Sequence, residues 1–600
     1  MQKRRSSIKD AAAKQDGQPR SFLASETGGW KKKWKNRLPV GLIFPNHYAV
    51  GMSNLGFQLV YGLLNENPRI VAERIFVPDR TGPPQSIESG RLVSDFPVLL
   101  FSVSFEQDYL NLIKILINSS IPPLAEDRTT GTDGRPAPVT ARAAGGMPLI
   151  IAGGVATFMN PEPLAPFVDC FIIGEAEPVL PEIIDLLIER LQDDATPAGK
   201  DDLLRELAHN YSCCYVPQLY TFNYRTDGSL AGITAEAGLA DRIKKSILVE
   251  SQPQAAHSHI LSSAAEFSEL YMTELGRGCS RGCRFCAAGF VYRPPRLWPA
   301  ETIINGLRQR PATARRVGLL GMEMVQPQDL NTIAAYLLKE SCSLSFSSLR
   351  ADVISPQLVE LLAVSGLKTA AIAPDGGSER LRRVINKGIT EGDVLAAAEA
   401  LVRAGVANLK LYFMIGLPTE EEDDIRELVT LTLKIKDKVL AIGSRRGKMS
   451  RLTLSVNCFI PKPWTPFQFH PFAGVGVLKN RIKYLRQELA GTANIRIKAE
   501  KPEKSFLQAV VALGDRRLGK GLLAVAQSDK NWRHVLKKLQ IKPEDYCLRT
   551  RSPDELLPWE IIDHGIDKEY LWAEYQKALD GRATSPCDTA ICKKCGVCNG

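Results

Sequence analysis

Short, continuous apolar runs recur along most of the chain with amphipathic stretches between them, and that alternation leaves few folds open. A first set lies at 40–44, 74–78, 98–103, 148–152 and 170–173, with helical patterns such as 56–64 and 108–117 in between. Runs that are apolar at every position suit strands covered on both faces, which are parallel strands in βα units. Residues 37–200 are therefore expected to form a doubly wound, Rossmann-like α/β domain with its ligand crevice at the carboxyl ends of the strands. A second set at 317–320, 343–349, 369–373, 409–414 and 452–456 alternates with helical patterns at 357–364, 393–404 and 422–435. That set predicts a full or partial βα TIM-type barrel over 263–499, again with its site at the strand ends. Around these, 1–36 reads as a basic mobile tail and 201–262 as a connecting hairpin and linker turning at Asp227-Gly228. Residues 500–600 read as a helical region ending in a four-cysteine metal motif.

With 600 residues there is ample volume for several cores. No apolar run approaches the ~18 residues that would cross a bilayer. The start, Met1-Gln2-Lys3-Arg4-Arg5, is not followed by an apolar signal segment. The expectation is a cytoplasmic protein with no membrane contact. Of 13 cysteines, seven fall in two tight clusters, a metal pattern rather than a disulfide one. The net charge of +10 suggests an anionic partner such as RNA, although much of it lies in the first tail and in Lys31-Lys32-Lys33-Trp34-Lys35, where a charge run is commonly a solvated face.

The chemistry concentrates in Gly276-Arg277-Gly278-Cys279-Ser280-Arg281-Gly282-Cys283-Arg284-Phe285-Cys286. Three thiolates in C-x3-C-x2-C spacing on a glycine-bent loop can curl around one iron–sulfur cube and leave its fourth iron open. A zinc knuckle brings four ligands in two pairs, and no fourth cysteine or histidine lies nearby. Arg277, Arg281 and Arg284 are expected to favour thiolates over thiols, which disfavours a set of inert buried cysteines.

Cys279, Cys283 and Cys286, with aromatic Phe285 before the last, resemble the signature of the radical S-adenosylmethionine (SAM) superfamily. The resemblance implies a [4Fe–4S] cluster whose open iron chelates SAM. It further implies one-electron cleavage of SAM to methionine and a 5′-deoxyadenosyl radical that abstracts a substrate hydrogen. It also implies roles for loops after the later strands. Gly321-Met322-Glu323 resembles the Gly-Gly-Glu turn whose carboxylate takes the SAM amino group, with Met322 in place of one glycine. The segment 373–380, with Asp375 where the superfamily has Glu and with Ser378, resembles the loop lining the ribose and methionine end of SAM. The Gly416 segment resembles the loop beside adenine. Ser378 and Glu379 could equally begin a helix. Asn457 to Phe467 resembles a stretch of methylthiotransferase-like members, with Cys458 read as packing.

The run from Gly153-Gly154 through Asn160-Pro161-Glu162-Pro163 to Gly174-Glu175-Ala176-Glu177 resembles the cobalamin-binding-like domain that precedes many radical SAM domains. Its cobalt-ligating motif, D-x-H-x-x-G, is absent. The loop reads Asn46-His47-Tyr48-Ala49-Val50-Gly51, and His47 lacks the Asp that orients a ligating imidazole. Cobalamin bound without a histidine ligand and a domain that has lost cobalamin both stay open. The architecture as a whole resembles radical SAM proteins with such a domain in front and a cysteine-rich end.

That end, Cys587-x4-Cys592-x2-Cys595-x2-Cys598, offers four thiolates for a second iron–sulfur cluster or a zinc ion. The 122–147 insertion reads as a surface loop, and 514–519 as either an anion contact or a solvated helix face. His257 and His259 are assigned no role. The resulting expectation is a radical SAM enzyme that methylates, or inserts sulfur into, an unidentified substrate. RNA or a ribosome-related molecule is a candidate substrate, and a flavodoxin- or ferredoxin-like protein the reductant. The alternative is a non-catalytic iron–sulfur module that senses redox state or binds RNA.

Overall fold

The structure, a computed structural model, describes residues 19–79, 82–129, 139–141, 146–193, 199–249, 254–346, 348–447 and 449–598. The first five apolar runs fold as β1 (Leu38–Phe44), β2 (Ile70–Phe76), β3 (Val98–Ser102), β4 (Leu149–Gly153) and β5 (Cys170–Ile172). They pair in parallel in the order 2-1-3-4-5, and β6 (Cys214–Tyr215) closes the edge antiparallel. The sheet therefore takes in a strand beyond residue 200, where the linker was expected to begin. Chain direction across the sheet reverses between β1 and β3, which is where an open α/β sheet offers a ligand crevice.

The second set of runs gives β7 (Leu270–Glu274), β8 (Arg316–Leu320) and β9 (Ser343–Phe346) in one parallel sheet. A second parallel sheet holds β10 (Thr369–Asp375), β11 (Asn408–Ile415), β12 (Arg451–Cys458) and β13 (Ile495–Ala499). A parallel bridge between Leu349 and Ile372 joins the two sheets into an incomplete barrel. Helices such as Pro356–Val364, Glu391–Arg403 and Glu422–Arg446 cover its outside, bringing apolar faces onto the strands. No helix among the described residues is long and apolar enough to cross a membrane.

Three expectations change. Residues 1–18 lie outside the described residues, but 19–36 are built into the fold rather than mobile. Glu26–Gly28 pairs with Ile260–Ser262, and Trp30 packs edge-on against Tyr61. The Glu26 carboxylate holds the buried Arg74 guanidinium at 2.8 Å, and Trp34 Nε1–H donates to Glu73. Secondly, part of the insertion is anchored inward. Arg128 is fully buried and donates to Asp169 Oδ1 at 2.9 Å, while Lys200 Nζ meets Oδ2 at 2.8 Å. Thirdly, the basic segment near 516 contacts neither solvent alone nor an open anion site. Arg516 pairs with Glu162 and lies over the Phe222 ring, and Arg517 pairs with Asp515 and lies over Tyr224.

A buried carboxylate between two buried cations cannot be removed cheaply, because both cations then lose their partner in a low-dielectric interior. Asp169→Ala is expected to lower the stability of the N-terminal domain by about 3–5 kcal/mol, read as a lower thermal transition. A transition at the wild-type temperature would contradict this role.

Candidate active site

The cluster loop begins where β7 ends. Gly276 and Arg277 turn back to pair with Arg296 and Leu297. Gly278 has φ +80°, and a Cβ there would fall 2.7 Å from the Tyr292 carbonyl oxygen, so only glycine passes this point. Beyond it Cys279, Cys283 and Cys286 stand on one loop as free, partly exposed thiols. Burial pushes the thiol of Cys279 up to about 12 and that of Cys286 up to about 11. Burial also raises Cys283, against the pull of Lys387 and Arg350.

The three arginines of the motif do not serve the sulfurs, contrary to expectation. Arg277 is spent on carboxylates: Glu175 and Glu274 at 3.0 Å, and Glu177. Arg284 is fully buried between Glu574 and the Arg582 and Val384 carbonyls. Arg281 faces Glu323 and Asp352, each at 3.7 Å. The cations near the thiols come from the barrel instead. Arg350 Nη1 lies 3.9 Å from Cys283 Sγ, and Lys387 lies 6.0 Å from the Phe285 ring centre. Neither was recognised in the sequence. The available signal was their position, Arg350 four residues after the end of β9 and Lys387 in the connection after β10, where barrel sites are built.

The loops expected to line SAM have mixed outcomes. Glu323 reaches the cluster loop, where Oε2 accepts from the Ser280 N–H at 2.7 Å and Oε1 from the Ser280 hydroxyl at 2.5 Å. Asp375, held at φ +63°, is buried and binds Lys387 at 2.5 Å, so it fixes the cation beside Cys283. Burial raises the Asp375 carboxyl in spite of that partner. Phe285 is partly buried beneath Lys387. Ser378 is the helix cap that its sequence also allowed. Its hydroxyl accepts from Leu381 N–H at 3.0 Å and donates to Asp424, leaving a buried group with both capacities used. Gly416 is a turn: its N–H is held by both oxygens of Glu420 at 3.0 Å, and a Cβ would meet Leu478 at 2.8 Å. Burial pushes the Glu420 carboxyl up to about 7, with Arg481 opposing.

Among the described residues no three histidine, cysteine or carboxylate groups are drawn in closely enough to hold a single metal ion. Thiolates on a cube ride on separate irons and stand farther apart than those around one zinc at ~2.3 Å. Three adjacent thiols on an open loop, flanked by two cations that offset thiolate charge, are a donor set that fits a [4Fe–4S] cluster.

A cavity of about 570 Å³ lies between the carboxyl ends of β1, β3, β4 and β5 on one side and of β7 and β8 on the other. Gly153, Gly154 and Phe105 line the first side; Leu320, Gly321 and Met322 line the second. Its polar wall is the Glu175–Glu177 loop bound to Arg277. Burial pushes the Glu175 carboxyl up, and Arg296 and Arg277 together more than reverse that, leaving it below the ordinary range. His47 is not among the residues lining this cavity; it is half-exposed, and its Nδ1 lies 2.9 Å from Asp79, a carboxylate supplied by the connection after β2 where its own loop has none. The carboxyl-terminal cysteines come next to the cluster loop, Cys587 N–H donating to the Ser280 carbonyl at 2.7 Å.

A family profile described as the radical SAM superfamily matches residues 273–432, and one described as the N-terminal part of radical SAM proteins matches 56–217. An uncharacterized protein of Methanocaldococcus jannaschii is 27% identical over 491 residues, 80% of this chain and 90% of that one. The ribosomal protein uS12 methylthiotransferase RimO of Salinispora arenicola is 31% identical over 171 residues, 26% of this chain and 33% of that enzyme. Among solved structures, the radical SAM methyltransferase TsrM of Kitasatospora setae, with tryptophan and a SAM analogue bound, aligns over 74% of this chain and 76% of its own. The TM-score there is 0.43 and the identity 11%. The cobalamin-dependent radical SAM enzyme OxsB, with aqua-cobalamin and SAM bound, aligns over 90% and 80%, with TM-score 0.44 and identity 14%.

Arg277→Met would leave Glu175, Glu177 and Glu274 facing one another with Arg296 as their remaining cation. The variant is expected to lose about 3–5 kcal/mol of stability and to take up less iron on reconstitution. Wild-type melting together with wild-type iron content would rule out this joint as a support of the cluster loop.

Proposed function

The chain is an enzyme of the radical SAM superfamily, and from that premise we propose that it cleaves SAM reductively at a [4Fe–4S] cluster on Cys279, Cys283 and Cys286 to modify a substrate in the interdomain cavity. The observation that carries the reading is the placement of those three thiols on the open, glycine-bent loop after β7, whose first residues form a wall of the cavity. A cluster held there would supply an open iron for SAM and would pass on the donor's electron that splits SAM into methionine and a 5′-deoxyadenosyl radical.

The chain's own residues have separable tasks. Cys279, Cys283 and Cys286 would hold three irons of the cluster and leave the fourth without a protein ligand, open to SAM. Arg350 and Lys387 offset the charge of the thiolates, and Asp375 keeps Lys387 in place. Glu323 orients the Ser280 segment, and in the proposed reading its carboxylate also takes the SAM amino group. The apolar lining of the cavity keeps water from a radical that would otherwise be quenched.

The substrate hydrogen is removed in the cavity, and methyl transfer or sulfur insertion follows. The glycine-opened crevice at β1/β3 and β4 suits the entry of a large cofactor such as cobalamin. No histidine is among the described residues that line it. The electron would come from a flavodoxin- or ferredoxin-like donor. The net charge of +10 suits a substrate attached to RNA or a ribosomal component.

Anaerobically reconstituted, reduced protein is expected to turn SAM into 5′-deoxyadenosine and methionine. Cys283→Ala is expected to abolish both products, because a cube already short of one protein ligand loses another. Chromatography of the quenched reaction reads this directly, and undiminished 5′-deoxyadenosine from the variant would sink the assignment.

A further inference from the structure

The last segment of the chain is laid along the outside of the cluster loop by a series of specific bonds. Asn386 donates to the Arg281 and Gly282 carbonyls while its Oδ1 accepts the Thr584 N–H at 2.8 Å. The buried Arg284, one residue past Cys283, donates to the Arg582 carbonyl at 2.7 Å and to the Thr584 hydroxyl at 3.2 Å. The Cys587 N–H then bonds the Ser280 carbonyl, immediately after Cys279. A loose polar tail has no need of buried partners; this one is fastened at three places within the metal-binding loop itself.

What the fastening delivers is a second group of sulfurs. Cys587, Cys592 and Cys595 line one small pocket together with Arg293 and with Ser280 of the cluster loop, and Cys595 is buried. Gly596, at φ +91° with the space for a Cβ filled by Asp567 at 2.7 Å, bends the chain between Cys595 and Cys598. The Cys595 carbonyl accepts from the Asp567 N–H at 2.9 Å, tying the bend to the last long helix, Lys568–Leu579. All four thiols are free.

We propose that Cys587, Cys592, Cys595 and Cys598 form a second iron–sulfur site, closed by four thiolates and set against the back of the cluster loop. Three successive cysteines at x2 spacing wrap one cube, whereas structural zinc favours two separated pairs. With four protein ligands the site has no open iron and cannot chelate SAM, so it is distinct from the first in chemistry as well as place. Arg293 beside Cys595 offsets part of its negative charge.

The experiment uses the full chain, reconstituted anaerobically with iron and sulfide. Iron, sulfide and zinc are counted in wild type, in the Cys592→Ala/Cys595→Ala double variant, in Cys598→Ser and in Cys283→Ala. Wild type should hold roughly eight irons and each variant roughly four. Reduced wild type should show two paramagnetic signals, each relaxing faster in the other's presence. The signal left in the terminal variants should move on addition of SAM, and the one left in Cys283→Ala should not. Cys598→Ser, placed near the chain end, keeps the test valid where the double variant fails to fold. Wild-type iron in the terminal variants, loss of zinc instead of iron, or a Cys587–Cys592 disulfide in the reconstituted protein would each overturn the proposal. If Cys283→Ala alone kept all its iron, the SAM-cluster reading would fail while the terminal result stood.

Discussion

The arrangement turns on one buried guanidinium. Arg277 leaves the end of β7 and is received by Glu175 and Glu177 of the N-terminal sheet and by Glu274 of its own strand, while Arg296 shares Glu175. Charges this far from water are tolerated only when paired and hydrogen-bonded, and removal of one partner strands the rest. The joint therefore fixes two things at once: the carboxyl ends of two separate sheets face each other across one cavity, and the cluster loop starts from a rigid point.

The cluster loop is then held from the other sides by independent elements. Glu323 takes both the amide and the hydroxyl of Ser280, Asn386 takes the carbonyls of Arg281 and Gly282, and the chain end bonds the Ser280 carbonyl. Backbone groups in a glycine-rich loop have no strand or helix partners of their own, so side chains from distant segments must satisfy them. This division of labour leaves the three sulfurs free of structural duties. The cations placed beside them, Arg350 and Lys387, are themselves fixed by Asp352 and Asp375.

Much of this was legible in the sequence where the signal is local. Strands buried on both faces are mostly apolar, so β1 to β5 and most barrel strands stood out, even though β2 carries the buried Glu73 and Arg74, and three cysteines within eight residues declare a shared ligand. What depends on long-range partners was not legible. Residues 19–36 look like a polar tail, and their order comes from Arg74, Tyr61 and the strand at Ile260–Ser262. Arg277, Arg281 and Arg284 flank the cysteines in sequence, yet their side chains point to carboxylates and carbonyls brought in from elsewhere, while the nearby cations come from residues 64 or more positions downstream of the last cysteine. Ser378 and Gly416 sit in loops resembling cofactor contacts, but the first is consumed as a cap and the second as a turn. For both, the local geometry of a helix start or a tight turn outweighed the resemblance.

The central claim is that Cys279, Cys283 and Cys286 leave one iron of a cube for SAM. Mössbauer spectroscopy of protein reconstituted with iron-57 tests it most directly, performed on a terminal-cysteine variant so that a single cluster is observed. The account predicts that addition of SAM changes the isomer shift of one iron in four and leaves three unchanged. Four irons indifferent to SAM would contradict it.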